Sequence, residues 1–129
     1  MSVFSWIISG EIPSYKIAED DNFIAFLDIA PLVMGHVLIV PKNETDKLFD
    51  LDDEILSQML VFAKPIAKTI ERVFDCRRCG ISVVGLEVPH AHMHLIPINS
   101  ADDLNFTRRK LSPVPKELET VQNKILSAL

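Results

Sequence analysis

Three of the four histidines in this sequence, His90, His92 and His94, fall at alternate positions of the stretch Pro89-His90-Ala91-His92-Met93-His94-Leu95-Ile96-Pro97. In an extended strand successive side chains point to opposite faces, so the three imidazoles would share one face, with neighbours about 6.5 Å apart. Ala91, Met93 and Leu95 would occupy the other face and pack on helices. The apolar side would anchor the strand and the histidine side would be offered to a cleft.

Three chemistries compete for such a face. The imidazoles can be structural, either buried and hydrogen-bonded or exposed, although clustering three of four histidines argues against that. They can ligate a metal, since His-x-His on a strand binds zinc, with Glu87, Asp28 or His36 as the further ligand. They can also act on a phosphorus centre. A neutral imidazole is a nucleophile near pH 7, and crowding several together discourages their simultaneous protonation. One ring then attacks while others donate hydrogen bonds to phosphate oxygens and to the leaving group.

The rest of the chain must position these rings. The 129 residues, 48% of them hydrophobic and 24% charged, predict one soluble globular domain over residues 1–129. No run of about 18 apolar residues is present, so no membrane span is expected. The N-terminal MSVFSWIISGEIP lacks the basic residues and cleavage pattern of a secretory leader, which makes the cytoplasm the expected compartment. A net charge of −5 excludes a protein that grips nucleic acid mainly through phosphates, but leaves room for a small anion at a local positive spot. The basic cluster Arg108-Arg109-Lys110 reads as a solvated surface or helix end. Cys76 and Cys79 form a C-R-R-C that follows a helix rather than opening one, and no second ligand pair is present. Both cysteines read as incidental rather than redox or zinc-binding.

Val3 to Ile8 reads as a short helical turn ended by Gly10. Tyr15 to Glu19 and Asn22 to Leu27 read as strands joined by an acidic turn, and His36 to Val40 as a buried strand stopped by Pro41. From Leu51 to Phe74, apolar residues recur at steps of three and four, predicting a helix whose stripe Ile55, Met59, Phe62, Ile66, Ile70 and Val73 faces a core. Pro65 should kink it. Ile81 to Val84 and His90 to Ile96 read as two further strands. Ser112 is placed to cap a last helix whose apolar face is Leu118, Val121, Ile125 and Leu129. The sum is an α+β fold, an antiparallel five-stranded sheet with two main helices packed on one side.

The stretch His90-Ala91-His92-Met93-His94-Leu95-Ile96 matches H-φ-H-φ-H-φ-φ, with φ apolar, and so resembles the signature of the histidine triad (HIT) nucleotide hydrolases and transferases. FSWIISGEIPSYKIAEDDNFIAFLDIAPLVMGHVLIVPK, residues 4 to 42, is similar to the N-terminal half of the Hint-like branch. The resemblance implies a HIT-like fold, usually a homodimer, that cleaves purine nucleotide phosphoramidates, related nucleotidyl conjugates or dinucleoside polyphosphates. It implies no cofactor and no obligatory metal in the catalytic step.

On this resemblance His92 is the nucleophile that attacks the α-phosphate and forms a nucleotidyl-histidine, which water then cleaves. His94 hydrogen-bonds the phosphate and assists the leaving group, His90 orients the network, and His36 is a fourth supporting histidine. Phe4, Ile12, Phe26, Ile29 and Leu38 match the apolar base-binding positions, and Asp28 the carboxylate that holds the ribose hydroxyls. His94 stands where the uridylyltransferase branch has Gln, which favours hydrolysis.

One departure is local. Many relatives carry a longer glycine-rich loop before the triad, with Asn or Gln and Ser contacting the phosphates. This chain has Gly85-Leu86-Glu87-Val88-Pro89, and Glu87 aligns with the Ser. A carboxylate facing a phosphate is unfavourable unless it pairs with a protonated histidine. Two alternatives to the enzyme stand beside it: a nucleotide-binding regulatory module with little turnover, and a metal-dependent hydrolase.

Overall fold

A computed structural model describes residues 1–129. Its elements in chain order are α1 (Val3–Ser9), β1 (Lys16–Glu19), β2 (Phe23–Leu27), β3 (Val37–Pro41), α2 (Asp53–Val73), β4 (Arg78–Ser82), β5 (Met93–Ile98) and α3 (Pro115–Ala128). The five strands form one sheet in the order β1-β2-β3-β5-β4, and every neighbouring pair is antiparallel. The architecture is the expected α+β fold. Short 3-10 turns at Leu48–Asp50 and Ala101–Leu104 complete it.

β2 and β3 are buried at every position because both faces of the sheet are covered there. On one face Ala25, Val37, Ile39, Met93 and Leu95 meet the apolar stripes of α2 and α3. Ala91 joins them, as the alternation of the triad segment predicts. On the other face Ile24, Phe26, Leu38 and Val40 pack with Phe4 of α1. The helices are therefore not all on one side: the short α1 lies on the face that also carries the site. Burying side chains of this size contributes about 1.5–3 kcal/mol each, so the double cover makes β2 and β3 a well-packed support for a site.

Local signals explain most boundaries. Gly10 ends α1 in the left-handed region, φ 86°, where a side chain would be strained. α2 continues through Pro65 as one element, and the Thr69 hydroxyl donates to the Pro65 carbonyl at 2.9 Å. No helix is long and apolar enough to cross a membrane.

Several boundaries shift by a residue or two from the sequence reading, and three further differences have an identifiable cause. β5 begins at Met93 rather than His90, because its ladder with β3 pairs Val37 with Leu95 and Ile39 with Met93. Continuing that register would place Ala91 opposite Pro41, which has no N–H to donate. The Ala91 N–H goes instead to the Thr45 carbonyl at 2.7 Å. β4 runs from Arg78 to Ser82 rather than from Ile81 through Val84; its register with β5 ends at Ser82 opposite His94, and Val84 would fall opposite His92, which precedes β5. The third is α3, which is capped by Val114 and not Ser112. The Leu111 N–H donates to the Pro31 carbonyl at 2.9 Å and holds the preceding segment extended, while Glu117 accepts from the Val114 N–H at 2.9 Å.

Candidate active site

β3, β5 and the long β4–β5 loop surround a cavity of about 330 Å³. His92 and His94 form part of its floor, and Phe4, Leu38 and Asp28 one wall. The loop from Val84 to Val88 closes the opposite side, with Phe106, Thr107 and Lys110 of the segment before α3 at the rim. A second hollow of about 550 Å³ touches His92 from beyond the loop, but neither Asp28 nor His94 borders it. Asp28, His92 and His94 come together only in the first.

Backbone carbonyls and amides settle which nitrogen of each ring carries its proton. His92 Nδ1 lies 2.7 Å from the His90 carbonyl, so Nδ1–H donates and Nε2 is left as the acceptor of a neutral ring. Burial lowers the pKa of His92, which favours that neutral form. Phe4 stands edge-on to the ring, centroids 5.0 Å apart at 82°, and limits its rotation.

A second chain of bonds fixes His94. The Leu32 N–H donates to His36 Nδ1 at 3.1 Å, which makes that nitrogen an acceptor. The proton of neutral His36 is then on Nε2, and it donates to His94 Nδ1 at 2.9 Å. His94 in turn carries its proton on Nε2. Desolvation, reinforced by the neighbouring histidines and Lys110, pushes His36 down to about 3 and His94 down to about 4. The outcome is one ring with a lone pair on Nε2 beside another with an N–H on Nε2, their centroids 4.9 Å apart. An acceptor paired with a donor can attack an electrophile and hold its oxygen at once.

His90 does not face the cavity, contrary to the shared face expected of an uninterrupted strand. It precedes β5 and is fully buried, its Nε2–H donating to the Pro41 carbonyl at 2.8 Å. Its Nδ1 accepts from the Ser2 hydroxyl at 2.8 Å. Ser2 also caps α1, accepting from the Ser5 N–H at 3.2 Å, and its own N–H donates to Glu44 at 2.6 Å. His90 is therefore a brace: it sets the carbonyl that orients His92.

Asp28 follows β2 at the cavity wall, its carboxylate accepting from the Ala30 N–H at 2.9 Å. Burial raises its pKa despite that bond. The remaining sequence candidates divide. Leu38 and Phe4 line the cavity. Phe26 lies beneath Phe4 in an edge-to-face pair, and Ile12 and Ile29 are not part of the cavity lining, Ile29 being 65% exposed. Glu87 lies at the rim, where its partner is Lys110 at 3.4 Å rather than a protonated histidine.

Sequence reasoning passed over Ser2, Phe106 and Lys110. Phe106 packs edge-on against His94, centroids 4.6 Å apart. The cluster Arg108-Arg109-Lys110 is not uniformly solvated: Arg108 donates to the Leu32 carbonyl at 2.9 Å, Arg109 is exposed, and Lys110 reaches the cavity. A basic cluster in an acidic chain was the available signal. Burial pushes the Cys79 thiol up to about 12 and also raises that of Cys76, and Cys79 packs against the core, so neither thiol of the C-R-R-C is activated by its surroundings.

Asp28, His36 and His94 bring potential metal-ligating atoms within 4.8 Å of one another. To ligate through the facing nitrogens, His36 would have to offer a lone pair on Nε2 while Nδ1 still accepts from Leu32. A neutral imidazole has only one acceptor nitrogen, so the cluster suits a hydrogen-bond relay better than a metal.

Residues 9–101 match the family model for the HIT domain. The chain is 38% identical over 113 residues to an uncharacterized HIT-like protein of Borreliella burgdorferi, covering 82% of this chain and 81% of that one. It is 41% identical over 96 residues to the adenosine 5'-monophosphoramidase HNT1 of Saccharomyces cerevisiae, covering 74% of this chain and 61% of that protein. Among solved structures, a Hit-like protein of Bartonella henselae, described as involved in cell-cycle regulation, superposes with a TM-score of 0.87 at 31% identity over 99% of this chain and 96% of that one. A zinc-bound histidine triad family protein of Mycobacterium smegmatis does so with a TM-score of 0.81 at 31% identity over 98% and 91%.

Proposed function

The chain belongs to the HIT family, and from that premise we propose that it hydrolyses purine nucleotide phosphoramidates or related nucleotidyl conjugates through a covalent nucleotidyl-histidine. The observation that carries the reading is the pairing of tautomers: His92 Nε2 is an acceptor beside the Nε2–H of His94 in one cavity. Support for the substrate class comes from the similarity to a yeast adenosine 5'-monophosphoramidase.

In this reading the nucleoside lies along the wall, its base against Phe4 and Leu38 and its ribose diol on Asp28. The lone pair of His92 Nε2 forms a bond to the α-phosphorus while the bond to the leaving nitrogen breaks. The expelled amine takes its proton from water at the open mouth, because the relay from Leu32 through His36 leaves His94 a single proton that it keeps. His94 Nε2–H donates to a phosphate oxygen and stabilises the charge that develops there. Water then attacks the same phosphorus, releases the nucleotide and restores neutral His92. His90 and His36 act by orienting the two rings.

A homodimer goes with this reading. β4 is a sheet edge, and Ile81 and Val83 at that edge, with Leu60 and Val61 on α2, are exposed apolar residues that a second copy would cover.

The test is turnover of adenosine phosphoramidate by the wild type and by His92→Ala, with and without a chelator. Loss of turnover in the variant and no loss with chelator is the expected result. Turnover abolished by chelator would favour a metal-dependent hydrolase. Tight AMP binding with no turnover of any nucleotidyl conjugate would favour a regulatory binding module.

A further inference from the structure

A nucleotide phosphate entering this cavity meets an unusual charge inventory. The lining includes two carboxylates, Asp28 and Glu87, and two imidazoles that burial keeps neutral. Of all the lining residues only Lys110 carries a permanent positive charge. An anion in a partly desolvated site needs a cation or several donors. The short loop Val84 to Val88 offers a carboxylate where a hydroxyl would have helped.

We propose that Lys110 is the phosphate-binding residue of this site and that Glu87 is its resting partner, displaced when the substrate phosphate arrives. The proposal rests on the nucleotide reading above and deepens it by assigning the phosphate contact.

Geometry supports each half. Lys110 Nζ lies 3.4 Å from the Glu87 carboxylate, a loose contact between a lysine side chain 33% exposed and a glutamate side chain 81% exposed. Ion pairs this open contribute little, so a phosphate can take over the ammonium at small cost. Glu87 then returns to water, where its exposed position already leaves it. The lysine also lines the cavity that holds Asp28, His92 and His94. It thus shares one cavity with the proposed ribose carboxylate and with the histidine that would hold a phosphate oxygen. The pair amounts to a salt-bridge lid on a charge that would otherwise attract any anion.

Calorimetric titration of AMP and of adenosine into the wild type, Lys110→Met, Glu87→Gln and the double variant tests this. Lys110→Met is expected to weaken AMP about tenfold, the worth of one charge-assisted contact, and to leave adenosine binding unchanged. Glu87→Gln is expected to tighten AMP severalfold, and the double variant to behave as Lys110→Met alone. The assignment is overturned if Lys110→Met leaves AMP affinity intact, or weakens AMP and adenosine equally. It is also overturned if Glu87→Gln weakens AMP. A wild type that binds neither compound overturns the nucleotide reading itself, which is a different failure from a variant that changes nothing.

Discussion

The floor and the rim of the cavity are built differently. On the floor and directly behind it, His92, His36 and His90 are each hydrogen-bonded to a backbone group in the interior, and His94 is held by His36. At the rim, Glu87 and Lys110 hold each other through one exposed contact, and Leu86 projects with 88% of its surface in water. These partners are backbone groups fixed in the interior, so the floor keeps a single pattern of protons. The rim can rearrange without disturbing the core. Chemistry set by the floor and selection set by the rim should therefore respond to mutation separately.

The strongest attempt to break that separation is His36→Ala. It leaves the Leu32 N–H without an acceptor and His94 Nδ1 without a donor, both in the interior. Each orphaned buried group costs about 1–3 kcal/mol, so unfolding in urea should show a loss on the order of 3 kcal/mol. With its proton no longer directed to Nε2, His94 should also lose part of its effect, lowering kcat about a hundredfold with KM little changed. A variant as stable and as fast as the wild type would show that the relay does not set the tautomer.

Acid probes the same floor without mutation. His36 is pushed down to about 3 and His94 to about 4 from an ordinary 6.5, both chiefly by burial. Between those values the unfolded chain binds protons that the folded protein refuses. Stability is therefore complete above about pH 6.5 and falls as pH drops, until His94 protonates near 4 and His36 near 3. Each group steepens the fall by up to about 1.4 kcal/mol per pH unit in its window. Urea midpoints at pH 7 and pH 5 measure this, and the difference between them should shrink in His36→Ala.

What could be read in the sequence follows the same division. The central strands announced themselves because covering both faces leaves β2 and β3 continuously apolar. Gly10 and the stripe of α2 marked their elements by local conformation and period. Alternation put His92 and His94 in one site, yet the same rule misplaced His90, since Pro41 on the neighbouring strand, 49 residues away, stops the ladder and takes its Nε2–H. Ser2 was beyond reach for a related reason: its hydroxyl meets His90 across 88 residues. Period and propensity report what a residue does for its own element. They are silent on a side chain whose partner is brought close only by the finished fold, and Lys110 against Glu87 is another such pair.

Ser2→Ala is a milder test of the brace. It removes the hydroxyl that donates to His90 and the acceptor that caps α1, while the bond from His90 to the Pro41 carbonyl remains. A lost N-cap or buried hydrogen bond costs about 1–2 kcal/mol, and thermal unfolding should register that much. Because His90 keeps one anchor, kcat should fall only severalfold. A hundredfold fall would mean that the tilt of the His90 ring, and not only its carbonyl, matters to His92.

The smallest effect belongs to the rim, and its smallness is the point. Leu86 lies between Gly85 and Glu87 on the loop that closes the cavity, and its side chain is almost wholly in water. Replacing it with Ser removes no packed neighbour, so urea unfolding should move by no more than about 0.5 kcal/mol, the usual range for exposed positions. kcat should stay at the wild-type value because no bond to His92 or His94 passes through this residue. Any change should fall on KM, and by about twofold at most, through loss of an apolar edge near the substrate. A Leu86→Ser variant with a markedly lower kcat would show that the loop closes over the histidines during turnover. Floor and rim would then have to be treated as one device.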